Sequence, residues 1–390
     1  MITVDEALER LFTLVTPLES EDVPLSEAVG RVLARDVAAR RDQPPFAASA
    51  MDGYALREDE ARPGARFEVI GEAAAGHGFA STVGPGQAVR IFTGAPLPDG
   101  ASRVIIQEDV ARSGDQIALN DDLDPKAHIR PAGCDFRTGE AMTAPRVLRP
   151  ADIALLASMN CATVPVTRKP VVALISTGDE LVMPGETPGP DQIIVSNTFG
   201  LKALLEGHGA KARILPIARD DIPSLETAFG LARGADLVVT IGGASVGDHD
   251  LVGQVAGQMG LDRAFYKVAM RPGKPLMAGR MGSAAMVGLP GNPVSAMVCG
   301  QVFLAPMIRA MLGLGTGRSL RLKTRLAAPL PQNGPREHYM RARLTPEGLV
   351  AENRQDSSLL SVLAEADALL VRPMHDPARA IGDEVEYLDF

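Results

Sequence analysis

Three short segments combine glycine, cations and carboxylates at the ends of apolar runs. They are Thr240-Ile-Gly-Gly-Ala-Ser-Val-Gly-Asp-His-Asp250, Lys267-Val-Ala-Met-Arg-Pro-Gly-Lys-Pro275 and Gly288-Leu-Pro-Gly-Asn-Pro-Val-Ser295. In the first, Gly242, Gly243, Ser245 and Gly247 would let backbone amides approach a phosphate or carboxylate at a helix N-terminus, although a Gly-Gly alone reads as a tight turn. Asp248 and Asp250 could cap that helix or hold Mg²⁺, an ion usually held by one or two carboxylates together with ligand phosphates. His249 reads as exposed or as lying behind the ligands. In the second segment Lys267, Arg271 and Lys274 put three cations within eight residues. A strand over Tyr266–Met270 would put Lys267 and Ala269 on one face, and Pro272 and Gly273 would turn Lys274 back to the same mouth. A solvated basic turn is the bland alternative. The third segment sets Pro290 and Pro293 at a strand-to-helix junction, with Pro293 at the first helical position behind an Asn292 cap. It serves equally as a rigid stop or as a pocket wall. Together these ends suit an anionic ligand bound with a metal.

Further acids follow other strand-like runs. Asp179 and Glu180, in Ser176-Thr-Gly-Asp-Glu-Leu181, read by default as turn acids, with base or metal ligand as the alternatives. Asp220 of the Asp220-Asp221 pair either faces the same crevice or caps the next helix. Asp52-Gly53 reads as a turn.

These residues need a scaffold. From residue 170 onward, candidate buried strands at Val171–Ser176, Ala212–Ile217, Asp236–Ile241 and Ala284–Leu289 alternate with helical stretches near 197–208, 222–233, 249–259 and 293–312. Such alternation predicts a mostly parallel sheet with helices on both faces, whose strand ends bind ligands. Ahead of it, Pro44-Pro45 marks a boundary, and short β runs at 67–70, 88–92, 103–107 and 116–119 form a β-rich block. A helix at 150–158 and a strand at 162–167 make that block an insertion. The chain opens on a capping box, Thr3-Val-Asp-Glu6, with Val4, Ala7, Leu8, Leu11, Phe12 and Val15 on one helical face. The last 75 or so residues return to short strands (319–327, 339–344, 367–372, 384–388) beyond a Gly313–Gly317 linker.

Length and composition bound the rest. The 390 residues suffice for two to four domains, and the net charge of −9 argues against a general nucleic-acid surface. With 4% aromatics and no Trp, cores must rest on aliphatic residues and Met. Cys134, Cys161 and Cys299 lie far apart, which disfavours a zinc cluster or disulfide framework and fits a reducing cytoplasm. The apolar stretch 284–308 is interrupted by Pro290, Asn292, Pro293 and Gln301 and reads as buried strand, turn and helix rather than a membrane span.

The chain resembles the molybdopterin molybdenumtransferases, the MoeA family related to the gephyrin E domain. The matching stretches are Ser49–Ala55, Arg90–Pro98, Ser176–Leu181, Gly242–Asp250, Lys267–Pro275 and Gly288–Ser295, in family order over nearly the whole chain. The resemblance implies a multidomain α/β fold. Residues 1–40 and 138–169 would form an elongated dimerisation domain, 41–137 a β-rich inserted domain, 170–315 the molybdopterin-binding domain, and 316–390 a small β-barrel-like domain. It also implies a homodimer whose cleft receives Asp52, Thr93 and Asp135 from the partner chain. Glu180, Asp220, Asp250, Lys267, Arg271 and Lys274 would face them, with Pro290 and Pro293 as the rigid pocket turn and Arg341 and Ser357 reaching in from the C-terminal domain. The implied reaction inserts molybdate into adenylylated molybdopterin, with Mg²⁺-dependent release of AMP and Asp220 and Asp250 at the metal. Molybdopterin adenylyltransferase and molybdoenzyme-maturation proteins are the implied partners, with no nucleic acid and no membrane.

Three positions depart from the family pattern. Arg271 stands where lysine is frequent, replacing a point charge with a planar fork. Cys134 stands where an acid is common and reads as a packed or incidental thiol; Ala244 replaces a commoner valine. Two rivals remain. A molybdopterin adenylyltransferase would carry Gly-Gly-Thr-Gly where this chain has Gly-Gly-Ala244-Ser245, and would lack the flanking domains. A gephyrin-like scaffold would dimerise and bind peptide without turnover.

Overall fold

The computed structural model describes residues 1–243 and 251–390. Two compact units divide the chain: Met1–Glu21, Gly30–Ala34 and Val166–Phe390 form one, and Asp22–Val29 with Arg35–Pro165 form the other.

The first unit is built on a six-stranded sheet ordered Lys211–Ile214, Val171–Ser176, Leu237–Ile241, Ala284–Leu289, Met277–Met281, Leu261–Tyr266. The first four strands are parallel, and the last two run antiparallel at one edge. The expected parallel strands are present; the antiparallel pair is an addition. Strand alternation splits the apolar residues between two cores. Val172, Leu174, Val239 and Val287 face one cluster, and Ala173, Ile175, Val238 and Met286 face the other. Burial on both faces explains why these strands read as continuous apolar runs.

Helices Asn197–Gly207, Ile222–Leu231, Leu251–Gln258 and Pro293–Cys299 belong to this unit. The last continues through a π-helical turn, Gly300–Leu304, into Ala305–Met311. A Cβ on Gly300 would stand 2.6 Å from Leu201 Cδ2, so the bare residue lets the two helices close. The span Pro293–Met311 is long and apolar enough to cross a membrane, but 83% of its apolar window is buried inside the protein.

The N-terminal helix Val4–Phe12 forms with the expected capping box and buries Val4, Ala7, Leu8 and Leu11 in the larger core. In the C-terminal part, Glu337–Thr345, Ala368–Arg372, Glu384–Asp389 and Leu322–Arg325 form an antiparallel sheet, with Gly348–Ala351 beside the first of these. Leu326 bridges Leu349.

The second unit centres on a six-stranded sheet ordered Arg103–Ile106, Gly53–Leu56, Gln87–Ile91, Arg66–Ala73, Gln116–Leu119, Val110–Ser113. Gly53 opens a strand, which corrects the reading of Asp52-Gly53 as a turn. A Cβ there would lie 2.0 Å from the Ile105 carbonyl oxygen, so strand approach, not turn geometry, requires glycine.

Candidate functional site

Ligands of open α/β sheets bind where the strand order reverses. Here the chain leaves Val171–Ser176 for one neighbour, Lys211–Ile214, and later returns to the other side as Leu237–Ile241. A cavity of about 640 Å³ opens at that point. Its walls include Gly178, Glu180, Asp220, Gly242, Gly243, Pro290 and Pro293, gathered from four stretches of sequence.

Each of these is held by local structure. Gly178 sits at φ +147, and a Cβ on it would stand 2.4 Å from Glu180 Oε2, so the glycine leaves room for the carboxylate to fold back. Asp220 and Asp221 divide the two roles expected of the pair. Asp221 caps helix Ile222–Leu231, its Oδ1 accepting from the Ser224 amide at 2.7 Å, whereas Asp220 lines the cavity. Partial burial, with Asp179 and Glu180 close by, raises the Asp220 carboxyl above the usual carboxylate range. Pro290–Pro293 forms the opposite wall. Asn292 occupies the cap position without the side-chain capping bond expected of it. The turn is instead fastened by Asn197, whose Nδ2 donates to the Gly291 carbonyl at 2.7 Å.

The glycine pair is packed from beneath. A Cβ on Gly242 would lie 2.7 Å from the Thr177 carbonyl oxygen, and one on Gly243 would lie 2.3 Å from Val252 Cγ2. Ser245, Gly247 and Asp250 lie outside the described residues.

The cationic segment departs from its expected form. No strand runs through Tyr266–Met270: the edge strand stops at Tyr266, and Lys267 takes φ +79. Lys267 and Ala269 therefore do not share a strand face. The segment is pinned on two sides instead. The Ala269 amide donates to Ile2 (2.8 Å), and Met270–Arg271 pairs with Glu337 and His338 of the C-terminal sheet. Gly273, at φ +103, packs where a Cβ would meet Cys299 Sγ at 2.4 Å. Lys267, Arg271 and Lys274 are not among the cavity walls, but Pro275 is, so the segment adjoins the cavity. Among the described residues none of the three cations forms an ion pair.

Arg341 is fully buried. Its Nη2 donates to the carbonyls of Arg354 (3.2 Å) and Asp356 (2.9 Å), while Nε and Nη1 have no partner among the described residues. Burial lowers its pKa, and the Arg271 charge lowers it further. Its neighbour His338 is 7% exposed and is pushed down to about 4, by burial first and then by Arg271, Arg341, Arg372 and Arg336. Arg372 is engaged by Asp376, so within this cluster the unfilled donors are those of Arg341, and donors of that kind suit an oxyanion. Ser357 accepts from the Val294 amide through its carbonyl, and Ser358 rather than Ser357 lines the cavity.

In the second unit, Asp52 and Thr93 meet. Asp52 Oδ1 accepts from both the Thr93 amide and its hydroxyl at 2.7 Å, which holds the carboxyl below its usual range. Asp135 is exposed, its amide donating to Gln43. Cys134 is exposed rather than packed, and Cys161 and Cys299 are buried free thiols.

Sequence reasoning marked the Ser176–Leu181 segment but gave Ser176 and Thr177 no role, and it passed over Asn197 and the Ile193–Ile194 wall. The available signal was position: Ser176 and Thr177 stand at the carboxyl end of the central strand.

Fold and cavity together define an α/β protein with an open cavity at its topological switch point. The family comparisons sharpen this class. The chain matches the MoeA N-terminal region (domain I and II) over residues 2–160, a probable molybdopterin binding domain over 173–310, and the MoeA C-terminal region (domain IV) over 323–390. A molybdopterin molybdenumtransferase of Nostoc sp. is 35% identical, with 99% of this chain and 93% of the relative covered. Molybdopterin molybdenumtransferase 2 of Mycobacterium tuberculosis is 34% identical over 94% of each chain. The crystal structure of the molybdopterin biosynthesis MoeA protein from Pyrococcus horikoshii OT3 superposes with a TM-score of 0.86 at 28% identity, covering 100% of both chains. The chain belongs to the molybdopterin molybdenumtransferase family of enzymes, the MoeA proteins.

Proposed function

We propose that this protein inserts molybdate into adenylylated molybdopterin, releasing AMP in a Mg²⁺-dependent step of molybdenum cofactor biosynthesis. One observation carries the reading: Glu180, Asp220, the Gly242–Gly243 turn and the Pro290–Pro293 turn meet in one cavity at the switch point, beside the cationic segment. Arg271, Lys267 and Lys274 receive the oxyanion and the ligand phosphates, with the unfilled guanidinium donors of Arg341 adding to that charge. Gly242, Gly243, Ser245 and Gly247 seat the ligand, and Ser357 supports the wall from the C-terminal region.

No group of three His, Cys, Asp or Glu side chains able to hold a metal is present among the described residues. Mg²⁺ does not require one, because it commonly uses one or two carboxylates with ligand phosphates. The donor chemistry fits: Asp220 is a hard oxygen ligand whose pKa is raised by burial first and then by nearby Asp179 and Glu180, and a divalent cation would offset the repulsion among these acids. Asp220 and Asp250 would hold the ion, which would supply charge neutralisation at the phosphates. Glu180 and Asp220 would also orient the attacking water.

The working form in this proposal is a cytoplasmic homodimer, in which Asp52, Thr93 and Asp135 serve the site from a second copy of the chain. The hydrogen-bonded Asp52–Thr93 pair supports a shared role for those two residues. The C-terminal region acts as a barrel-like module, a reading supported by the Leu326–Leu349 bridge. An adenylyltransferase would supply the substrate, and molybdoenzyme-maturation proteins would take the product.

The test follows AMP released from adenylylated molybdopterin, molybdate and Mg²⁺. Lys267→Ala and Asp250→Ala are each expected to slow release by about a hundredfold, the scale of losing one preorganised charge. Wild-type rates in both variants would overturn the assignment.

A further inference from the structure

Ser176 and Thr177 are 2% and 3% exposed, both line the cavity, and neither hydroxyl has a hydrogen-bond partner among the described residues. Buried hydroxyls are nearly always paired, so two adjacent orphans on the floor of a cavity indicate groups kept for a ligand. Thr177 Oγ1 lies 3.1 Å and 2.9 Å from where Cβ atoms on Gly242 and Gly243 would stand, so both glycines must remain bare beside it.

The rest of the lining identifies the chemistry. Glu180 and Asp220 are its only charged side chains among the described residues, and both are acceptors; Ile193, Ile194 and the prolines present apolar surface. The three cations stand outside this set. A phosphate can approach these carboxylates only through a bridging cation, whereas on the Ser176–Thr177 floor a neutral planar ring with N–H donors beside a carbonyl would meet hydroxyls that both donate and accept.

We propose that the Ser176 and Thr177 hydroxyls bind the hydrogen-bonding edge of the pterin ring, so that the ligand lies with its heterocycle on the cavity floor and its phosphates toward Lys267–Lys274. This rests on the cavity being the molybdopterin site. Adenine, the other nitrogen-rich ring of the ligand, has an amino group but no adjacent ring N–H and carbonyl, and matches this floor less well. The hydroxyls are binding groups and take no part in bond making.

Ser176→Ala and Thr177→Val remove each hydroxyl while keeping near-native shape. Binding of free pterin, followed by its own fluorescence, is expected to weaken about three- to tenfold in each variant, the scale of one net hydrogen bond. Molybdate binding by equilibrium dialysis and adenosine binding should stay as in wild type. Since neither hydroxyl has a partner among the described residues, neither substitution should lower the Tm of the unliganded protein. Unchanged pterin affinity in both variants, a loss confined to adenosine, or a fall in unliganded Tm with intact pterin binding would each overturn the inference. Failure of the wild-type protein to bind pterin at all would instead sink the underlying site assignment.

Discussion

Acidification should destabilise this protein through His338, by an amount the structure allows to be worked out. Burial and four surrounding guanidinium groups, led by Arg271, lower its pKa from 6.5 to about 4. The unfolded chain therefore takes up a proton near pH 6.5, while the folded chain resists until about pH 4. A base depressed in this way contributes stability that is complete above its unfolded pKa and is lost as pH falls through the folded one. Linkage makes the total loss about 3 kcal/mol, of which about 2 kcal/mol disappears between pH 8 and pH 5. Urea unfolding of wild type and His338→Asn at those two pH values isolates the effect, since other carboxylates and histidines titrate in both proteins. The variant should lack about 2 kcal/mol of the wild-type loss, whatever its constant offset. Parallel stability curves from pH 8 to pH 5 would refute the reasoning. Because Arg271 pairs in register with His338, bound molybdate should offset the guanidinium charge and shrink the wild-type loss.

Two other perturbations test the scaffold and the carboxylates. Gly53→Ala should cost about 3 kcal/mol in urea unfolding because its Cβ meets a backbone carbonyl, whereas Gly230→Ala, in open space within a helix, should stabilise by about 0.5–1 kcal/mol. Asp220→Asn should raise the Tm of unliganded protein at neutral pH while abolishing Mg²⁺-dependent AMP release. Its sign follows from a raised carboxyl pKa: the cost of ionisation is present above the folded value and vanishes as pH falls below the unfolded one. The Tm gain should therefore fade on acidification.

Local pattern and chemistry carried much of this protein. Continuous apolar runs revealed Val171–Ser176 and Ala284–Leu289 because strands buried on both faces leave no polar alternation. The capping box revealed the first helix because its two reciprocal bonds lie within four residues. The resemblance, carried by stretches that include Glu180, Gly242 and Pro290, implied one cleft for these residues and Asp220, and the cavity brings the four together. Tertiary structure decided what depends on distant neighbours. The antiparallel edge strands Leu261–Tyr266 and Met277–Met281 are defined by pairing, and the first is only half buried, which blurs its pattern. Which of Asp220 and Asp221 caps and which faces the cavity depends on where helix Ile222–Leu231 begins. The cations take their place from Ile2 and the Glu337–His338 strand, nearly 270 residues away on one side and about 70 on the other. The orphan hydroxyls of Ser176 and Thr177 were legible only in three dimensions, because a missing partner is a property of everything packed around an atom and not of the residue that carries it.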